Sequence, residues 1–129
     1  MKSEILLVKI TDAGRSVSVR DEKNDCTVRA LALCLGLPYM EAYGKMAQLG
    51  RKKNTGFPLR FHSLDNLKGL FEIRPDLSCR TLGKVLPEIR SGRFIVRIYN
   101  HVFAVIDGEI LDTVPLKTTE RVKMVYQKI

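Results

Sequence analysis

The 129-residue chain contains no tryptophan, three cysteines, two histidines and no apolar run approaching the length of a membrane span. Each scarcity removes a class of function. Without tryptophan, and with its four tyrosines and five phenylalanines not interleaved with basic residues, the chain lacks a platform on which bases could stack. Cys26, Cys34 and Cys79 are an odd number in a chain long enough to bury a real core, which argues against a disulfide framework. No pair of cysteines or histidines stands at metal-ligand spacing, so no metal site is expected. The glycine-bracketed segment GRKKNTGFP (50–58) is no Walker loop, because Phe57 rather than Lys-Ser or Lys-Thr follows Gly56. Repeats, low-complexity tracts and linkers are missing too, so residues 1–129 read as a single domain. The opening MKSEILLVKI is too short and too charged for a secretory leader, and a soluble, cytoplasmic protein is expected.

Positive charge is in excess. Twenty-two lysines and arginines against fourteen acidic residues give a formal charge of +8. The basic residues are scattered from Lys2 to Lys128, and the only run is Arg51-Lys52-Lys53. Dispersed charge of this kind reads as a solvated surface that favours an acidic partner. A nucleic-acid partner stays open without being favoured. Arg51, Lys52 and Lys53 are either an ordinary surface loop or substrate-binding cations that steer an acidic protein or peptide toward a cleft.

The hydrophobic pattern changes period along the chain. EILLVKI (4–10) and SVSV (16–19) read as short strands around a turn at Asp12-Ala13-Gly14. Residues 25–36 read as a helix, with Val28, Leu31, Ala32 and Leu35 on one face and further apolar residues around it. Gly36 closes that helix, and Pro38 starts a second one to about Leu49. Ser63 is expected to cap a short helix over LDNLKGLF, and Thr81 another over LGKVLPEIR, whose last turn Pro87 would distort. The C-terminal third then alternates as strands at 93–99, 101–107, 109–114 and 121–129, the last of edge type. Helices first and an antiparallel sheet afterwards predict an α+β domain.

Within that frame NDCTVRALALCLG (24–36) stands out, because it places a thiol where a helix begins. A cysteine in an apolar helix is ordinarily a small core residue, and that reading is given to Cys34 and also to Cys79. His62, in an expected loop, is read as a surface residue. Cys26 differs, since the free N–H groups of a helix start lower a thiol's pKa. Asp107-Gly108 is a favoured two-residue hairpin turn. It would pair Ile106 with Glu109, Val105 with Ile110 and Phe103 with Asp112, making His101 and Asp112 diagonal neighbours on one face. Phe103, Val105 and Ile110 would bury that face against the Cys26 helix. Cys26 then reads as a nucleophile, His101 as its general base and acid, and Asp112 as the group that orients the ring. The Cys26 backbone N–H and the Asn24 side chain are the candidate oxyanion donors.

Asn24-Asp25-Cys26, then Val28-Arg29-Ala30-Leu31-Ala32, then His101 and Asp112 in that order, resemble the papain-like cysteine peptidase superfamily. The likeness is strongest to small cysteine-peptidase-like proteins of bacteriophages and prophages. The first segment is also similar to the nucleophile segment of ovarian-tumour-type deubiquitinases. HVFAVIDGEILDT is similar to bacteriocin-processing peptidases and transglutaminase-like domains. Arg20 stands where papain-like enzymes usually carry an oxyanion-hole glutamine. The resemblance implies a papain-like α+β fold, with a buried nucleophile helix packed on an antiparallel sheet formed mainly by the C-terminal third. It implies a cysteine hydrolase, peptidase- or isopeptidase-like, acting on an amide or thioester of a protein or peptide without metal or organic cofactor. The setting would be the host cytoplasm if the chain is phage-encoded. Three alternatives stand beside it: an acyl or amine transferase using the same triad, a catalytically silent phage protein that binds and inhibits a host factor, and a small basic nucleic-acid-binding protein.

Overall fold

Residues 26–35 are almost wholly apolar and fold as helix α1 (Cys26–Leu35), whose Val28, Ala30, Leu31, Ala32 and Cys34 are all buried. Gly36 ends it in the left-handed region at φ +67°, where a side chain would be strained. The chain reverses there through paired bonds from Leu37 N–H to Ala32 O (2.9 Å) and from Gly36 N–H to Leu33 O (3.3 Å). Arg93 Nη1 donates to the last carbonyls, Leu33 O and Cys34 O, at 3.2 Å each. Helix α2 (Tyr39–Gln48) follows Pro38 and buries Tyr39, Ala42 and Met46 at helical spacing.

The computed structural model describes residues 5–6, 8–11, 13, 26–48, 70–99, 101–112 and 116–129. Its strands are β1 (Ile5–Leu6), β2 (Val8–Ile10), β3 (Phe71–Ile73), β4 (Arg93–Ile98), β5 (His101–Ile106), β6 (Glu109–Asp112), β7 (Leu116–Lys117) and β8 (Met124–Lys128). Six of them form one sheet in the order β2-β6-β5-β4-β8-β3, while β1 and β7 make a separate antiparallel pair. The fold is α+β. A 3-10 turn (Pro75–Leu77) and helix α3 (Leu82–Val85), continued as a 3-10 turn through Ile89, connect β3 to β4.

Both faces of the sheet are covered. On one, α1 and α2 pack with Phe71, Ile95, Val102 and Tyr126. On the other, Leu77, Leu82, Val85 and Ile89 pack with Phe94, Val96, Phe103, Val105, Ile110 and Val125. A fully buried aliphatic or aromatic side chain contributes about 1.5–3 kcal/mol, so two such layers hold the strands from either side. Among the described residues no helix is long and apolar enough to cross a membrane.

Several expectations need correction. The face carrying Phe103, Val105 and Ile110 packs against the α3 region, not against α1; α1 covers the face of Val102. The sheet is mixed, because β2 runs parallel to β6. The stretch 4–10 divides between two sheets, since β1 takes β7 as its partner and β2 takes β6. Strand β8 lies inside the sheet, between β4 and β3, and its neighbouring residues Val125 and Tyr126 are both buried, one on each face. Phe71, expected to end a helix, opens β3. Thr81 occupies the cap position of α3 without a side-chain capping bond. The backbone does that work: Leu82 N–H reaches Glu120 O at 2.7 Å and Gly83 N–H reaches Thr118 O at 3.0 Å. Pro87 does fall in the 3-10 continuation, as its missing N–H demands. The expected strand 16–19, most of the helix after Ser63, His62 and the loop 50–58 lie outside the described residues.

Candidate active site

The hairpin turn fixes two of the three groups. Asp107 and Gly108 both take positive φ, +49° and +82°, the two-residue geometry that matches strand twist. The resulting register pairs Ile106 with Glu109, Val105 with Ile110 and Ala104 with Leu111. Continued one step, it sets Asp112 opposite Phe103 and diagonal to His101. The side chains close that gap: His101 Nε2 lies 2.5 Å from Asp112 Oδ2. The ring also stacks on the buried Phe103, with centroids 6.1 Å apart and planes inclined by 28°. Its orientation is thereby set by one polar and one apolar neighbour.

Helix α1 supplies the third group. It lies on the Val102 side of the sheet, and its first residue, Cys26, comes to the start of β5. There the thiol hydrogen-bonds to the His101 ring and to the backbone of Val102. Since Asp112 occupies Nε2, the ring nitrogen left for sulfur is Nδ1. Thiol, imidazole and carboxylate form a chain in the expected order, although the helix reaches it from the opposite face of the sheet.

Charge reinforces the geometry. Burial pushes the Cys26 thiol up, but the His101 hydrogen bond, the Val102 bond and the positive charges of His101 and Arg29 outweigh it, and the net shift is downward. Burial pushes His101 down, yet the hydrogen bonds and negative charges of Asp112 and Cys26 raise it to about 9. Both shifts favour a thiolate beside an imidazolium at neutral pH. Cys34 provides the contrast within one helix: burial raises its thiol to about 12, with Arg93 and Lys128 only partly opposing.

Arg29 is a member of the cluster that sequence reasoning did not assign. It is the sole charged residue of α1 and follows Cys26 by three positions, so it shares that residue's helix face. Its Nη1 donates to Asp112 Oδ1 at 3.1 Å, and the two residues are 9% and 2% exposed. A lone cation in an otherwise apolar helix was the available signal. Cys34 is buried as expected, whereas Cys79 is exposed, in the left-handed region at φ +67°. Asn24 and the Arg51, Lys52 and Lys53 run lie outside the described residues.

No protein-family model, curated protein or solved structure matches the chain, leaving geometry and chemistry to carry the functional reading.

Proposed function

We propose that the protein is a cysteine-dependent hydrolase of papain-like type, acting on an amide or thioester of a protein or peptide. The observation that carries this reading is the His101 ring held between two partners, Asp112 on Nε2 and the Cys26 thiol on the other side. A ring bound that way can take the thiol proton without leaving its place. The start of α1 favours the resulting thiolate through the helix's free N–H groups.

The reaction follows from those positions. The Cys26 thiolate adds to the carbonyl carbon, and the oxyanion takes a hydrogen bond from the Cys26 backbone N–H, with Asn24 the proposed side-chain donor. His101 delivers its proton to the departing amine or thiolate, and the C–N or C–S bond breaks to leave an acyl-thioester on Cys26. Neutral His101 then draws a proton from water, whose oxygen attacks the thioester. Collapse releases the acid and restores the thiolate–imidazolium pair. Asp112 keeps the ring's tautomer and offsets its charge in both halves.

The Arg51, Lys52 and Lys53 run is proposed to steer an acidic substrate, consistent with a chain whose formal charge is +8. A peptide bearing a C-terminal vinyl sulfone tests the reading. Mass mapping should find one probe on Cys26, no adduct in Cys26→Ala, and strongly slowed labelling in His101→Ala. Equal labelling of Cys79, or a His101→Ala protein that reacts as fast as the wild type, would refute it.

A further inference from the structure

A buried guanidinium needs a reason. Arg29 is 9% exposed at an interface whose other α1 residues are apolar, and burying a cation there is costly unless it is fully paired. It pairs with the carboxylate that holds His101: Oδ1 of Asp112 accepts from Arg29 at 3.1 Å, while Oδ2 meets His101 Nε2. The two carboxylate oxygens thus face two different cations. We propose that Arg29 is a positioning residue of the thiol site, clamping Asp112 through Oδ1 so that Oδ2 stays aimed at the His101 ring, and balancing the charge of the cluster. This rests on Cys26 and His101 acting as proposed above.

The charge balance is specific. A thiolate and a carboxylate facing one imidazolium would leave a net negative charge in a poorly solvated place. Arg29 makes two anions and two cations. Its charge also lowers the Cys26 thiol directly. Among the described residues, the charged and titratable groups around the carboxylate are Cys26 and Arg29 from α1 and His101 from β5. From the neighbouring strands, Lys9 stands opposite Leu111 and is exposed. Glu109 lies exposed at the turn end of β6, and Arg97 of β4 stands opposite Val102 and bonds Tyr126.

The test is the pH profile of Cys26 alkylation by iodoacetamide, from about pH 4 to 10, in the wild type, Arg29→Gln and Arg29→Lys. The wild type should show a lower inflection as the thiolate–imidazolium pair forms and an upper one as the ring loses its proton. Loss of a nearby cation raises the pKa of both the thiol and the imidazole. Arg29→Gln should therefore move both inflections to higher pH, the lower by about one unit, read as roughly tenfold slower alkylation on the acid limb. Arg29→Lys keeps the charge and should keep the inflections, but its single-point contact should lower the rate between them. A purely structural arginine would change the melting temperature and leave both inflections in place. Folded Arg29→Gln with the wild-type profile overturns the proposal. Should that variant not fold, an Arg29→Lys protein matching the wild type in both inflections and rate overturns it. A wild type whose Cys26 alkylates no faster than a free thiol removes the reading of the site and the proposal together. Fast wild-type labelling with unmoved Arg29 variants removes the proposal alone.

Discussion

Replacing His101 by alanine takes the hydrogen bond and the charge away from Cys26 while leaving the thiol's burial in place. Cys34 shows how far burial can drive a thiol on this helix, up to about 12 even with Arg93 and Lys128 opposing it. Burial raises Cys26 too, and its thiol still lies below the ordinary value. The Val102 bond and Arg29 survive the substitution, so the variant's thiol should return to about the ordinary value of 9.0 and stay short of the Cys34 value. Starting from a largely ionised wild-type thiol, thiolate at pH 7 then falls roughly a hundredfold. A more basic thiolate is intrinsically more reactive, with a slope of about 0.4–0.5 per unit, which returns close to tenfold. The net expectation is alkylation at pH 7 slowed by about tenfold.

The fold should survive the change. The His101 side chain is 22% exposed, and Asp112 retains Arg29 when the ring is gone. Stopped-flow alkylation with site-resolved mass analysis, alongside circular dichroism, separates reactivity from folding. A folded His101→Ala protein whose Cys26 reacts at the wild-type rate would mean that the imidazole does not act on the thiol.

Two further perturbations follow from the same contacts. Asp112→Ala takes the pairing carboxylate from the buried Arg29 and should cost about 3–5 kcal/mol in urea unfolding; the double variant Asp112→Ala/Arg29→Met should recover part of that loss, and strictly additive losses would contradict the pairing. His101 has a folded pKa raised from 6.5 to about 9, so its stabilising contribution is full below about 6.5 and is lost as pH rises through about 9. Cys26→Ser removes the titrating thiol and isolates this effect, with its upper edge below 9 because the thiolate's share is gone. The melting temperature of Cys26→Ser should fall across that window more than that of Cys26→Ser/His101→Ala, and parallel curves would show that His101 is not held protonated.

Local chemistry was legible in the sequence, and long-range packing was not. Asp107-Gly108 admits few backbone geometries, so the turn, the register of β5 and β6, and the His101–Asp112 diagonal could be read from neighbouring residues. The helix from Cys26 and its end at Gly36 were legible for the same reason. Alternation assigns residues to two faces of a strand but does not say which layer covers which face. That is why the Phe103 side was given to α1 when it belongs to the α3 region. A strand buried on both faces resembles an edge strand wherever exposed residues stand at its ends, as Lys123 does just before β8 and Lys128 at its last position. The parallel pairing of β2 with β6 joins residues about a hundred positions apart, beyond any local signal. Arg29 was visible as a lone charge, but its partner depended on the tertiary fold.

The central claim is that Cys26 is chemically activated, and one measurement addresses it with the other two thiols as internal references. Limiting iodoacetamide at pH 6.5, with peptide mapping over time, ranks the three cysteines. Cys79 is exposed and Cys34 is buried, so accessibility alone would put Cys79 first, whereas the thiolate–imidazolium pair puts the half-buried Cys26 first, Cys79 well behind and Cys34 last. Cys79 reacting as fast as Cys26, or faster, would contradict the account.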